Sequence, residues 1–264
     1  GWHIECSVMS KKYLGETIDI HAGGEDLIFP HHENEIAQSE AASGKEFAHY
    51  WMHNGFLNID NRKMSKSLGN FFTVREIEQK YDLQVLRFFM LSAHYRSPLN
   101  FSADLMEAAR SGLERILTAA ENLKRLKDSG IDGKMTAEEE ELCEKAQEFE
   151  KKFEDAMEDD CNTADAGSAV FELVKFINTN ASGQNTKAFL GRLYDELHVL
   201  CDVLGIIIEK EEEILDADIE KMIQERQEAR KNKDFARADQ IRDELAQKGI
   251  ILKDTREGVT WKRA

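Results

Sequence analysis

Apolar residues recur at helical spacing through most of the second half of the chain. After Ser102, the positions Leu113, Ile116, Leu117, Ala120 and Leu123 mark one face of a long helix, which Gly130-Ile131-Asp132-Gly133 interrupts. Thr136 with Glu139 three residues on has the spacing of a capping box, and it opens a helix with the stripe Leu142, Ala146, Phe149, Phe153 and Met157. Asp159-Asp160-Cys161-Asn162-Thr163 reads as a turn, with Asn162 placed to cap a helix carrying Val170, Leu173, Val174 and Ile177. Ser182-Gly183-Gln184-Asn185 reads as a loop, and a further helix runs from about Thr186 to Leu204, stopped by Gly205. Only Pro30 and Pro98 supply proline, so these stretches are free to be helical. The stripes predict a packed bundle over residues 102–210.

On either side the pattern changes. Residues 211–264 predict a small mixed domain: helices over Asp218 to Asn232 and Asp234 to Lys248, then a hairpin pairing Ile250-Ile251-Leu252-Lys253 with Val259-Thr260-Trp261-Lys262 across Asp254 to Gly258. In residues 1–101, Trp2-His3-Ile4-Glu5-Cys6 reads as a strand. Residues 17 to 40 read as a short apolar run, a Gly23-Gly24 loop and then a polar helix. Gly55 to Asp60 alternates like another strand, Asp60-Asn61 is turn chemistry, and Thr73 with Glu76 forms a capping box that opens a helix. The run Lys63-Met64-Ser65-Lys66-Ser67-Leu68-Gly69-Asn70 is therefore expected on a loop between a strand and a helix.

Two groups of residues carry candidate chemistry. Paired ammonium groups on a short loop, Lys63 and Lys66, suit polyphosphate, because lysine presents a compact charge on a flexible stem; a solvated basic turn is the plainer reading of the same residues. His31 and Glu35 stand four apart, so on a helix they share a face and can hold one ion, and Cys6 offers a thiolate beside them. Sulfur, imidazole nitrogen and carboxylate oxygen are ordinary zinc ligands, and the soft thiolate favours zinc over magnesium or calcium. The plainer reading is a surface His–Glu pair and a small buried cysteine.

Length and composition set bounds. At 264 residues and 41% hydrophobic the chain can build more than one core. Its formal charge, 35 basic minus 51 acidic side chains or −16, argues against a globally basic nucleic-acid binder. The charge is uneven, however: residues 138–160 hold twelve acidic and three basic side chains, whereas residues 226–263 hold eleven basic and seven acidic. A local excess of positive charge can meet phosphate although the whole molecule is acidic, since screening confines the field to roughly 10 Å. No run has the length of a membrane span and none resembles a signal peptide. Cys6, Cys143, Cys161 and Cys201 lack paired spacing, so a disulfide framework is not expected and a reducing cytoplasm is.

The blocks Gly1-Trp2-His3-Ile4-Glu5-Cys6-Ser7, His21-Ala22-Gly23-Gly24, Phe29-Pro30-His31-His32-Glu33-Asn34-Glu35 and Lys63-Met64-Ser65-Lys66-Ser67 together resemble the second half of the catalytic domain of class I cysteinyl-tRNA synthetases. The similarity continues through His94-Tyr95-Arg96-Ser97-Pro98-Leu99-Asn100-Phe101-Ser102 and covers essentially the whole chain. It implies an α/β plus all-α fold: the C-terminal half of a Rossmann-like nucleotide-binding domain with a stem-contact region over 1–101, a helical bundle over 102–210, and a small α/β anticodon-binding domain over 211–264. The chain opens on Gly1 and lacks the family's His-Ile-Gly-His type of nucleotide signature, so it is expected to be a fragment, catalytically incomplete alone.

The resemblance further implies activation of L-cysteine with ATP, accompanied by Mg2+, and transfer to tRNA(Cys). One zinc ion (Zn2+) per subunit would be held by Cys6, His31 and Glu35, with a further family cysteine outside this chain, and would bind the substrate thiolate directly. Trp2 and His21 match positions lining the amino-acid pocket, with core packing the other reading of Trp2. Lys63 and Lys66 match the lysines that stabilise the pyrophosphate leaving charge. Gly24 and Asp26 resemble a segment beside the nucleoside, with a plain turn the other reading. Arg230, Asp239 and Asp254 match anticodon-contacting positions, a helix-surface ion pair being the other reading of the first two. Where an indole is expected near that helix junction, this chain has Phe235, which stacks but donates no hydrogen bond. A monomer is implied. Two other functions compete: a related ligase joining cysteine to an amino sugar, against which residues 218–264 argue, and a tRNA-binding segment without catalysis.

Overall fold

The computed structural model describes the chain apart from residues 65–71, 210–213, 233, 248–249, 256–257 and 264. For residues 63, 214–219, 247, 250–251, 253–255 and 258–263 it describes the backbone alone. The chain divides into two units, Gly1–Ile208 and Glu209–Ala264.

The first unit opens with helix α1 (Trp2–Leu14), where a strand over residues 2–6 was expected. His3, Cys6, Ser7 and Ser10 are its half-buried or buried positions, and their offsets of three, four and seven residues from His3 are helical. That packed face is small and polar, so hydrophobic alternation at Trp2, Ile4 and Cys6 pointed to the wrong period. Strand β1 (Ile18–Gly24) follows, then one 3-10 turn (Glu25–Leu27), a wide π-type turn (Ile28–His32) kinked at Phe29, and helix α2 (Glu33–Ser43). Strand β2 (Ala48–Asn54) returns parallel to β1, with Ile18 opposite Ala48 and Gly24 opposite Asn54. The two glycines expected in a loop thus finish a strand. A Cβ on Gly23 would lie 2.9 Å from the His32 ring, so glycine there is what lets the imidazole pack against the strand.

Strands β3 (Leu57–Ile59) and β4 (Arg62–Lys63) form a tight hairpin. Asp60 and Asn61 have φ of 48° and 62°, the left-handed pair that a two-residue hairpin turn requires. Lys63 therefore lies on a returning strand opposite Asn58 and not on the expected loop, because the turn folds the chain back at once. Helices α3 (Val74–Glu78) and α4 (Leu83–Leu91) follow, the first opened by the Thr73–Glu76 capping box. Strand β5 (Leu99–Phe101) then pairs parallel to β3.

Helices α5 (Ala103–Ser129), α6 (Ala137–Glu158), α7 (Thr163–Asn180) and α8 (Lys187–Val203) form the bundle, capped by Thr136 and Asn162 as expected and also by Ser102 and Thr186. Its core centres on Met106, Ile116, Leu173, Phe189, Leu190 and Leu193, all fully buried. Val85 and Phe89 of α4 join this core, and Leu57, Leu99 and Phe101 of the short strands pack on it. The β1–β2 region has a separate small core of Ile18, Phe47 and Ala48, against which Ile36 and Trp51 pack.

The second unit comprises α9 (Ile214–Lys231), α10 (Phe235–Gln247) and the antiparallel hairpin β6 (Ile250–Thr255) and β7 (Gly258–Arg263), pinned by Ile223, Ile241 and Leu245. Among the described residues no helix is long and apolar enough to cross a membrane.

Candidate metal centre

Three elements converge beside the end of β1. Cys6 comes from the second turn of α1, His31 from the wide turn and Glu35 from the first turn of α2. The four-residue spacing of His31 and Glu35 keeps its geometry across the join, with His31 Nε2 2.9 Å from Glu35 Oε1. One ligand atom from each of Cys6, His31 and Glu35 lies within 4.8 Å of the others. His21, projecting from β1, reaches the other carboxylate oxygen at 2.5 Å.

Glu35 is fully buried, and this makes its environment informative. His31 stands at ion-pair distance from Oε1, yet that oxygen receives no hydrogen bond of acceptable geometry. A buried carboxylate oxygen approached closely but not hydrogen-bonded is costly on its own and is satisfied when a cation sits between the two groups. The donor set of thiol, imidazole and carboxylate fits a borderline-soft divalent metal.

A second combination, His21, His32 and Glu35, also brings its ligand atoms together. His32 is 3% exposed and its Nδ1 is already 2.8 Å from His53 Nε2. Cys6 and His31 are only half-buried, so a ligand from solvent reaches the first combination more readily. Burial first, then the neighbouring His21, pushes the His32 imidazole towards its neutral form. Burial and then the Glu35 carboxylate raise the Cys6 thiol, a bias that a bound cation reverses.

Around these groups stand residues that the sequence pattern did not single out. Trp51 meets the His21 ring edge-on at 4.8 Å, Phe47 lies 5.5 Å from it, and the His3 ring is 6.1 Å from His31. The register His21 opposite Trp51 and Gly23 opposite His53 puts them on one face of the strand pair. The usable signals were the His31-His32 doublet and the period-two placing of Trp51 and His53.

The other expected site residues lie elsewhere. Trp2 begins α1 and is 80% exposed in this chain. Gly24 ends β1, and Asp26 in the following turn folds its carboxylate back over it, 2.6 Å from where a Cβ would stand. Lys63 is on β4, and Lys66 lies outside the described residues. In the second unit, exposed Arg230 is in the last turn of α9, and exposed Asp239 on α10 pairs with Arg242 at 3.2 Å. Asp254 pairs with Val259 in the hairpin backbone, its side chain being outside the described residues. Phe235, at the start of α10, is 61% exposed.

Three family models match in succession: the tRNA synthetases class I (C) catalytic domain over residues 1–111, the DALR domain over 152–209, and the cysteinyl-tRNA ligase anticodon binding domain over 213–261. The cysteine–tRNA ligase of Lachnospira eligens is 66% identical over 264 residues, covering all of this chain and 56% of that protein. Those of Lachnoclostridium phytofermentans and Clostridioides difficile are 59% and 57% identical, again over all of this chain and 57% of each. The chain belongs to the cysteine–tRNA ligase family of class I aminoacyl-tRNA synthetases.

It spans little more than half the length of these ligases. Among solved structures, the LeuRS of Agrobacterium radiobacter K84 aligns over 72% of this chain and 26% of its own at a TM-score of 0.59 and 23% identity. The Mycobacterium tuberculosis methionyl-tRNA synthetase aligns over 72% and 40% at 0.50 and 18%. These likenesses show a shared class I synthetase fold. Within the family frame, the candidate metal donors and the Lys63 strand fall inside the catalytic match, α7 and α8 inside the DALR match, and α9, α10, β6 and most of β7 inside the anticodon-binding match.

Proposed function

We propose that the protein is a cysteine–tRNA ligase that activates L-cysteine with ATP and passes it to the terminal ribose of tRNA(Cys), with zinc at Cys6, His31 and Glu35 selecting the substrate by its sulfur. The observation that carries the metal assignment is the buried Glu35 oxygen that His31 approaches without hydrogen-bonding, beside a thiol. When bound, zinc supplies a preference for thiolate sulfur over a hydroxyl oxygen, which a pocket distinguishing the two by shape would lack. His21 orients the Glu35 carboxylate through its second oxygen and, with Trp51 behind it, forms a wall of the amino-acid pocket, to which Trp2 contributes from α1.

In activation, the cysteine carboxylate attacks the α-phosphorus of Mg2+-bound ATP and pyrophosphate leaves. Lys63 and Lys66 carry the charge that balances the departing phosphates, an effect exerted on the transition state more than on bound ATP. Gly24 and Asp26 adjoin the nucleoside, where the carboxylate accepts a ribose hydroxyl. The second unit takes the anticodon loop through Arg230, Asp239 and Asp254, and its basic excess supports contact with phosphate. The proposed setting is the cytoplasm and the proposed unit a monomer.

Exchange of labelled pyrophosphate into ATP tests this in the full-length protein. Exchange should depend on cysteine and stay at background with serine. Equal exchange with serine, or none with cysteine, overturns the proposal.

A further inference from the structure

Beside the packing of Leu57, Leu99 and Phe101 on the bundle core, the strand pair that carries Lys63 is tied to the bundle through an acidic side chain. Asp160, in the turn from α6 to α7, has φ of +59°, and Cys161 after it +55°, a left-handed pair that residues with side chains avoid unless their surroundings impose it. The turn is held by Cys161 N–H to the Met157 carbonyl and Asn162 N–H to the Ala156 carbonyl, both 3.1 Å, and by the Thr163 hydroxyl donating to the Leu91 carbonyl at 2.9 Å.

This bend aims the Asp160 carboxylate at the segment between α4 and β5. Tyr95 Oη donates to one oxygen at 2.7 Å, and Arg96 Nε lies 2.6 Å from the other, with His94 Nε2 at 3.7 Å. Arg96 Nε also reaches Tyr95 Oη at 3.1 Å, and the His94 and Tyr95 rings stack at 4.8 Å. Tyr95 and Arg96 together hold the Asp160 carboxyl below its ordinary range. Three neighbouring side chains thus converge on one carboxylate, more than a single surface ion pair provides.

The gripped segment in turn holds the lysine strands. Gly55 N–H donates to the Tyr95 carbonyl at 2.8 Å, and Leu99 N–H to the Phe56 carbonyl at 2.9 Å. The ladder Leu57–Leu99, Asn58–Asn100 and Ile59–Phe101 continues from there, and the Asn61 amide donates to the Asn100 side chain at 2.6 Å. Lys63 sits opposite Asn58 on the outer strand of this ladder. Cys6, His31 and Glu35 belong instead to the region packed on Ile18, Phe47 and Ala48.

We propose that Asp160 is a positioning residue for the activation step: it registers segment 94–101, and with it β3, β4 and Lys63, against the bundle. The kinetic form of this inference rests on the ligase function proposed above.

The test uses the full-length enzyme and its Asp160→Ala, Asp160→Asn and Tyr95→Phe variants. In pyrophosphate exchange, Asp160→Ala should lower kcat on the order of tenfold, as expected when a reacting group is displaced by a fraction of an ångström to an ångström. The KM for cysteine and the zinc content should stay within about twofold of wild type, because the metal donors lie outside the linkage. Asp160→Asn, which keeps an acceptor for Tyr95, and Tyr95→Phe, which keeps the Arg96 pair, should each lose less. A kcat within about twofold of wild type, or a cysteine KM that rises in step with the loss, overturns the proposal.

Amide hydrogen exchange supplies a readout independent of activity. Asp160→Ala should speed exchange at residues 55–63 and 99–101 and leave 18–24 unchanged. Unaltered exchange at 55–63 sinks the linkage, whereas a wild type inactive with cysteine sinks the ligase assignment alone.

Discussion

At Glu35 the chain buries a carboxylate between two imidazoles and a thiol, and the arrangement makes sense chemically as half of a coordination shell. Removing the softest donor should expose that. In the full-length protein Cys6→Ser is expected to weaken zinc binding by at least about tenfold and to raise the KM for cysteine, since a hydroxyl replaces the sulfur donor that this chain supplies. Elemental analysis of the purified variant checks the first effect, and unchanged metal stoichiometry would remove Cys6 from the ligands. How far such a site can be read from sequence follows from the range of its contacts. His31 and Glu35 were legible because a spacing of four is local and survives the wide turn. Cys6 was legible as a residue type, but its helix was not, because α1 packs through His3, Cys6, Ser7 and Ser10, which carry no hydrophobic signal. Period-two spacing puts Trp51 and His53 on one face, but their meeting with His21 and His32 depends on parallel register between strands thirty residues apart, which no local spacing encodes.

The elements themselves were legible mostly at their ends. The capping boxes at Thr73–Glu76 and Thr136–Glu139 and the cap at Asn162 formed as expected, because capping is settled within four residues. What local chemistry could not show is the second use of a cap. Glu139 accepts from the Thr136 amide at 3.0 Å and reaches 47 residues on to the start of α8. There it accepts from the Thr186 amide and hydroxyl, both at 2.8 Å, and from the Asn185 side chain at 3.2 Å. One 5%-exposed carboxylate thus closes the N-termini of two helices, each of which favours negative charge. Burial alone would raise the Glu139 carboxyl, but these donors outweigh it and hold it below its ordinary range. Glu139→Ala should therefore destabilise the first unit by about 2–4 kcal/mol, leaving buried donors at two helix starts without an acceptor. Because the folded pKa is depressed, the wild-type contribution is present above the ordinary carboxylate range and lost as pH falls through the folded value. Urea unfolding at neutral pH measures the cost, and a loss below about 0.5 kcal/mol would mean that water replaces the carboxylate at no expense.

For the molecule as a whole, stability should depend on pH through a buried acid that has no such partners. Glu196 of α8 is 6% exposed, and neither of its oxygens is hydrogen-bonded. Burial first, then repulsion from Glu150 on α6, pushes its carboxyl up to about 7, while Arg192 one turn earlier on α8 opposes the shift. The Cys143 thiol on α6 faces the same place and is itself raised by burial and by Glu196. In the unfolded chain Glu196 ionises near 4.5. Between these two values the folded protein holds a proton that the unfolded chain has lost, so stability falls as pH rises through this window and levels off above it. The size of the fall is roughly 3–4 kcal/mol, from the interval between 4.5 and about 7 at about 1.4 kcal/mol per pH unit. Glu196→Gln removes the titration while keeping the shape, at a pH-independent cost for its own buried amide. The variant should therefore gain on wild type from pH 5 to about pH 7 and gain little more by pH 8, when unfolding is followed in the full-length protein across that range. Parallel profiles for the two proteins would show that Glu196 reaches water and titrates as an ordinary surface acid. Convergence at acid pH with divergence at alkaline pH would place an uncompensated charge within the seam between α6 and α8 under alkaline conditions. The bundle that carries the strands of Lys63 would then be most stable on the acid side of neutrality, because the acid at Glu196 is neutral there while Glu139 is still ionised.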